Sequence, residues 1–140
     1  MGLSNAIRAS LLDHLFGNGA LTPPDVYVGF STTTPTVTGT NVTEPSGGGY
    51  ARVDTTTVNK WGAATTADST ATITNDATIT FPTATADWAT GAYMTHLVLY
   101  DAATAGNFLG FGELPEAKPV LNNDTASFGV GTLTATITSA

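Results

Sequence analysis

The side chains able to do chemistry are few in this chain, and their spacing assembles no familiar site. Two histidines, His14 and His96, stand far apart, and there is no cysteine. A zinc site needs three or four nitrogen, sulfur or carboxylate donors brought together, so the sequence predicts no metal centre and no cofactor. A structural role is the simpler account of each imidazole. No Gly-x-Ser-x-Gly elbow is present, and Ser127-Phe128-Gly129 reads as strand. Paired carboxylates could cleave a glycoside across a cleft. The candidates Asp101, Glu113, Glu116 and Asp124 fall in or beside predicted loops, where solvated turn residues are the plainer reading. Asn122-Asn123-Asp124 with Asp76 or Asp101 offers oxygen donors for calcium, but without the ligand spacing of an EF-hand loop. Ser46-Gly47-Gly48-Gly49 lacks the Lys-Ser/Thr of a phosphate-binding loop and reads as a flexible turn. No catalytic residue is assigned, and the expectation is a protein that is not an enzyme. Tyr50, Trp61, Trp88, Tyr93 and Tyr100 could stack against sugar rings. Packing between sheets is the competing explanation for such aromatics.

The elements that would hold these residues are mostly strands. Residues 3–16 form the one predicted helix. Ser4 or Asn5 can cap it, and Ile7, Leu11, Leu12, Leu15 and Phe16 recur at three- and four-residue steps. Gly17 supplies a left-handed stop. So short a helix is marginal alone, so it must dock on its own sheet or on a neighbouring subunit. Thr22-Pro23-Pro24-Asp25 is an extended lead-in to a strand at 26–30, and a long Thr-, Pro- and Gly-rich loop follows at 32–48. Ala71 and Ile73, then Ile79 and Phe81, alternate with threonines around Asn75-Asp76, which predicts a hairpin. Residues 83–88 read as a short irregular segment. Tyr93 to Tyr100 carries bulk on both parities, so it should be covered on both faces. A 101–107 loop leads into a strand at 108–114, Asn122-Asn123-Asp124 is a turn, Gly131 suggests a bulge, and Leu133, Ala135 and Ile137 alternate with threonine to the end. About eight short strands at this spacing predict a mainly β fold, an antiparallel, jelly-roll-like β-sandwich over 26–138 with one N-terminal helix, as a single domain of residues 1–140.

Composition narrows the function classes. Of 140 residues only 11% are charged, Lys and Arg total 4 against 11 Asp and Glu, and the formal charge is -7. Proteins that bind nucleic acid draw their affinity from cations on phosphates, and four scattered ones cannot build that surface. Anionic membranes are disfavoured for the same reason. No secretory signal or membrane span is visible, so synthesis in a cytosol and a soluble product are expected. Threonine supplies about one residue in five. It keeps an outer strand face wet without charge, but leaves sheet edges without the lysines that usually discourage pairing. The uncharged strand with Leu133 and Ile137 is therefore either interior or an edge that meets another chain.

Several strings occur in a telling order: Leu11-Leu12-Asp13-His14-Leu15-Phe16, Thr22-Pro23-Pro24, Val26-Tyr27-Val28-Gly29-Phe30, Gly47-Gly48-Gly49-Tyr50-Ala51-Arg52, Phe81-Pro82-Thr83-Ala84-Thr85-Ala86-Asp87-Trp88, Thr95-His96, and the run from Asp101 to Leu109. In this order and spacing the chain resembles small virion proteins of tailed bacteriophages, the Gp80-like family often labelled "phage tail fiber protein", over nearly its whole length. It departs from the usual pattern after Thr95-His96, where Leu97-Val98-Leu99-Tyr100 replaces a Gly-containing run. The resemblance implies a structural virion component, with no catalytic or cofactor residues to carry over. A fibre shaft needs length or repeats, which this chain lacks. A tip, an adaptor, a compact knob or a capsid decoration (cement) protein fits its size. The expected partners are other copies of itself, in a homo-oligomer such as a trimer, and the major capsid or tail proteins. Contact is expected through the helix (Ile7, Leu11, Leu15), the 32–48 loop, the aromatics Tyr50, Trp61 and Trp88, and the C-terminal strand (Leu133, Ile137). The alternative is a carbohydrate-binding, receptor-recognition module at a fibre tip that uses Tyr50, Trp61 or Trp88.

Overall fold

The computed structural model describes residues 1–139. In chain order its elements are β1 (Gly2–Leu3), α1 (Asn5–Leu15), β2 (Tyr27–Ser31), β3 (Val53–Asp54), β4 (Thr65–Ala67), β5 (Thr70–Thr74), β6 (Ile79–Thr80), β7 (Met94–Tyr100), β8 (Phe108–Lys118), β9 (Ser127–Phe128) and β10 (Thr134–Thr138). Every strand pairing is antiparallel. One sheet runs β1-β8-β7-β2-β3, a second β10-β5-β4, and β6 pairs with β9. The fold is mainly β, sandwich-like, with an N-terminal helix.

The central pair explains the core. Val28 faces Leu99 and Phe30 faces Leu97 across the β2–β7 register, and all four side chains are buried. They pack with Ile79 and Phe81 of the β6 segment and with Trp88. Phe30 is the hub, with ring centroids 4.5 Å from Phe81, 5.6 Å from Phe128 and 6.1 Å from Trp88. Tilted contacts of this kind suit the quadrupoles of aromatic rings better than a face-to-face sandwich. The opposite face of β7 and β2 is covered by the 32–52 segment. There the side chains of Tyr50, Glu44 and Arg52 lie over Gly29, and Gly39 lies on Phe108. The two bulky parities of β7 thus have two different covers.

The 32–48 loop is fastened along its length. Thr32 N–H donates to the Thr43 carbonyl at 3.0 Å, Thr43 N–H to Ser31 Oγ at 3.1 Å, and Thr36 N–H to the Thr40 carbonyl at 3.0 Å. The Ser46-to-Gly49 run does turn, with Tyr50 N–H donating to the Gly47 carbonyl at 3.0 Å, and it is also a close approach. Gly48 has φ +56°, a Cβ there would meet the Ala86 carbonyl at 2.5 Å, and Trp88 Nε1–H donates to the Gly48 carbonyl at 3.0 Å.

Other expectations are corrected. The helix is shorter than 3–16, because Gly2–Leu3 pairs with β8 instead. Its cap is Ser4, whose Oγ accepts from Ile7 N–H at 3.3 Å, and Gly17 does take the left-handed stop at φ +77°. The described residues form ten strands where about eight were expected. No hairpin joins 71–74 to 79–81. β5 lies between β4 and β10, and β6 goes to β9. Asn75 is the reason: it is a buried junction instead of a turn tip. Its Nδ2 donates to the carbonyls of Ala77 (3.0 Å) and Gly129 (2.8 Å), and its Oδ1 accepts from Leu133 N–H at 2.8 Å. Gly131, at φ +79°, turns the chain between β9 and β10 in place of a bulge.

Candidate interaction surface

Helix α1 is held at its N-terminus and poorly buried beyond it. Ser4 N–H donates to the Leu109 carbonyl at 2.8 Å and Asn5 N–H to the Val37 carbonyl at 2.9 Å. Ile7 is half-buried against the core. From there outward the helix buries no residue fully. Leu11 is 37% exposed, Leu12 58%, Leu15 74% and Phe16 72%. Burying a side chain of this size is worth about 1.5–3 kcal/mol, so the isolated fold leaves most of that unrealised. Beside the helix runs an open groove of roughly 800 Å³, lined by Leu11, Leu12 and Leu15 of the helix and by Leu3, Phe111 and Ile137 of the strands, with Arg8 and His14 also on its wall. His14 Nδ1 accepts from Leu21 N–H at 3.2 Å, which ties the chain after the helix back onto it. Apolar patches of this kind on a soluble domain mark contact surfaces.

A second cluster is polar and structural. Arg52 forms a two-pronged ion pair with Glu44, with Nε to Oε1 at 3.0 Å. It donates to the carbonyls of Ala102 (2.9 Å) and Ala105 (2.7 Å), and lies 3.5 Å from the centroid of the Tyr100 ring. Tyr50 Oη donates to Glu44 Oε1 at 2.8 Å and accepts from Phe30 N–H at 2.9 Å. Burial first, and then the Glu44 charge, push the Tyr50 hydroxyl far above its ordinary range. The Arg52 guanidinium is held still more firmly protonated; burial opposes this, but the Glu44 hydrogen bond and charge outweigh it. The cluster staples two loops to the sheet and presents no group free to react.

The model of the family described as podophage GP4 fiber I protein gp80 matches residues 2–136. The chain belongs to this Gp80 family. It is thereby a phage fibre-type, virion-associated protein. No curated protein matches it.

In this Gp80-family chain the sequence-predicted contact residues divide by burial. Ile137 is 54% exposed and Leu15 and Leu11 line the groove, so these three share one surface, with Ile7 beneath them. Trp88 and Leu133 are buried core residues and cannot meet a partner. Trp61 is half-buried, with its indole N–H given to Thr55 Oγ1 at 2.9 Å, and Tyr50 is occupied as described. The three aromatics therefore make no open sugar platform. His96 is buried, with Nδ1 2.9 Å from Thr95 Oγ1. Asp87 and Asp124 accept from the backbone N–H groups of Asn122 and Leu121. Among the described residues no three His, Asp or Glu side chains gather as a metal-binding group. Glu44, Arg52 and Asn75 escaped the sequence reading. Glu44 and Arg52 are remote in sequence from the Ala102 and Ala105 carbonyls they help to hold, and a buried Asn between two alternating runs carries the same letters as a turn.

Proposed function

We propose that this Gp80-family protein is a non-enzymatic structural part of the tailed-phage particle, a compact fibre-associated knob or adaptor that acts through protein–protein contacts. The observation that carries the reading is the N-terminal helix, which keeps Leu12, Leu15 and Phe16 more than half exposed beside an apolar groove. The fibre family supports placement on the tail rather than on the shell. The polar clusters support a structural role, since their donors and acceptors are spent on each other and on backbone groups. Gel densitometry of purified virions tests the placement. A few copies per particle are expected, and a count comparable to that of the capsid subunit would make it a head decoration instead. Glycan-array screening, with and without calcium, is expected to be silent. A specific glycan signal would replace this reading with receptor recognition.

A further inference from the structure

We infer that α1 of one copy packs in parallel, in register, against α1 of a second copy of this chain. The inference deepens the protein-contact reading above by naming a partner, and in that sense rests on it. At about 100° per residue, Ile7, Ser10 and Leu11 turn toward the body of the molecule. Asn5, Ala9, Leu12 and Phe16 turn the opposite way, and all four are exposed. Their steps of four, three and four are those of a coiled-coil seam. A small Ala9 between Asn5 and Leu12 lets two helices approach, and Asn5 is the kind of polar seam residue that fixes register.

Charge decides the direction. Arg8 flanks the seam on one side and Asp13 on the other. On a single helix they point about 140° apart, and Arg8 is bonded to Asn5 Oδ1, not to Asp13. In a parallel, in-register pair the flank carrying Arg8 meets the flank carrying Asp13 of the second copy, one turn and a half further on. In an antiparallel pair like flanks meet, and neither charge finds its opposite. Asp13 is also the one carboxylate in α1 among the 11 Asp and Glu of the chain. The helix is therefore the near-neutral face of a molecule of charge -7, where two copies can approach with least repulsion. Three helical turns alone fall short of the ~800 Å² per partner of a standard interface. Leu12 of the seam also lines the groove that holds Leu15 and Ile137, so apolar surface continues beside the helix pair, and an association in the micromolar range follows.

The test is sedimentation of the full chain from low micromolar to several hundred micromolar. The mass is expected to rise with concentration. Leu12→Glu and Phe16→Glu should remain monomeric with circular dichroism and melting temperature unchanged, because both positions are exposed in the single copy. Arg8→Asp should weaken association by roughly tenfold, and adding Asp13→Arg should restore it. Because the chain has no cysteine, Ala9→Cys on mild oxidation should give a disulfide between copies. A monomer at every concentration, association that survives Leu12→Glu, a double variant that fails to recover, or no cross-link through Ala9→Cys would each overturn the inference. None of these results bears on copy number in the virion, so the particle assay fails or succeeds separately.

Discussion

Asn75 is almost wholly buried and spends its whole amide on three backbone groups from two segments. Removing that amide leaves buried backbone donors and acceptors without partners, at roughly 1–3 kcal/mol each before relaxation. Asn75→Ala should cost about 3 kcal/mol in urea unfolding, with Asn75→Asp also destabilising, since a carboxylate cannot donate to Ala77 and Gly129. Glu44 holds the other critical contact. Glu44→Gln leaves the Arg52 guanidinium, whose side chain is 7% exposed, without its counter-charge, and about 3 kcal/mol should be lost. Tyr50 gives the pH dependence its sign at the alkaline end. Its hydroxyl stays protonated in the fold beyond the point where the unfolded chain ionises, near pH 10. Its contribution is whole below that pH and drains away as pH climbs past it. Stability should therefore fall more steeply above about pH 10 than in Tyr50→Phe, as chemical denaturation at stepped pH would show.

At the scale of elements, the helix and the central strands were legible because local signals and tertiary placement agree. Ser4 caps, Gly17 stops, and β7 carries bulk on both parities because both of its faces are covered. The order of pairing was not legible. Alternating Thr and Ile in 70–74 and 79–80 fits any antiparallel neighbour, and the choice of β10 over β6 rests on Asn75 reaching Gly129 and Leu133, more than fifty residues away. The exposure of the expected contact residues was half legible. The apolar stripe of the helix leaves Leu11 and Leu15 on the groove, yet nothing in local spacing tells that Leu133 is buried and Ile137 exposed. The 32–48 loop is the clearest departure, since length and composition suggest mobility while its threonines bond one another and Ser31. Hydrogen exchange should find the Thr32, Thr36 and Thr43 amides protected well above those of Ala20, Thr22 and Asp25. Exchange of all of them at the unfolded rate would show the fastening to be illusory.

The whole molecule concentrates its ionic interactions in one place. Apart from the Arg52–Glu44 pair, the described ion pairs comprise the exposed Lys118–Glu116 contact, of a kind worth little in water. Elsewhere cohesion comes from the aromatic core and from hydroxyl and backbone hydrogen bonds. β5 and β10 set Thr70, Thr72 and Thr74 opposite Thr138, Thr136 and Thr134, with Ala71 and Ile73 opposite Ile137 and Ala135. That ladder holds no acid to protonate and no ion pair for added salt to screen. A component built this way should keep its shape from fresh water to brine, so that a particle leaving one host can drift through changing surroundings before it meets the next.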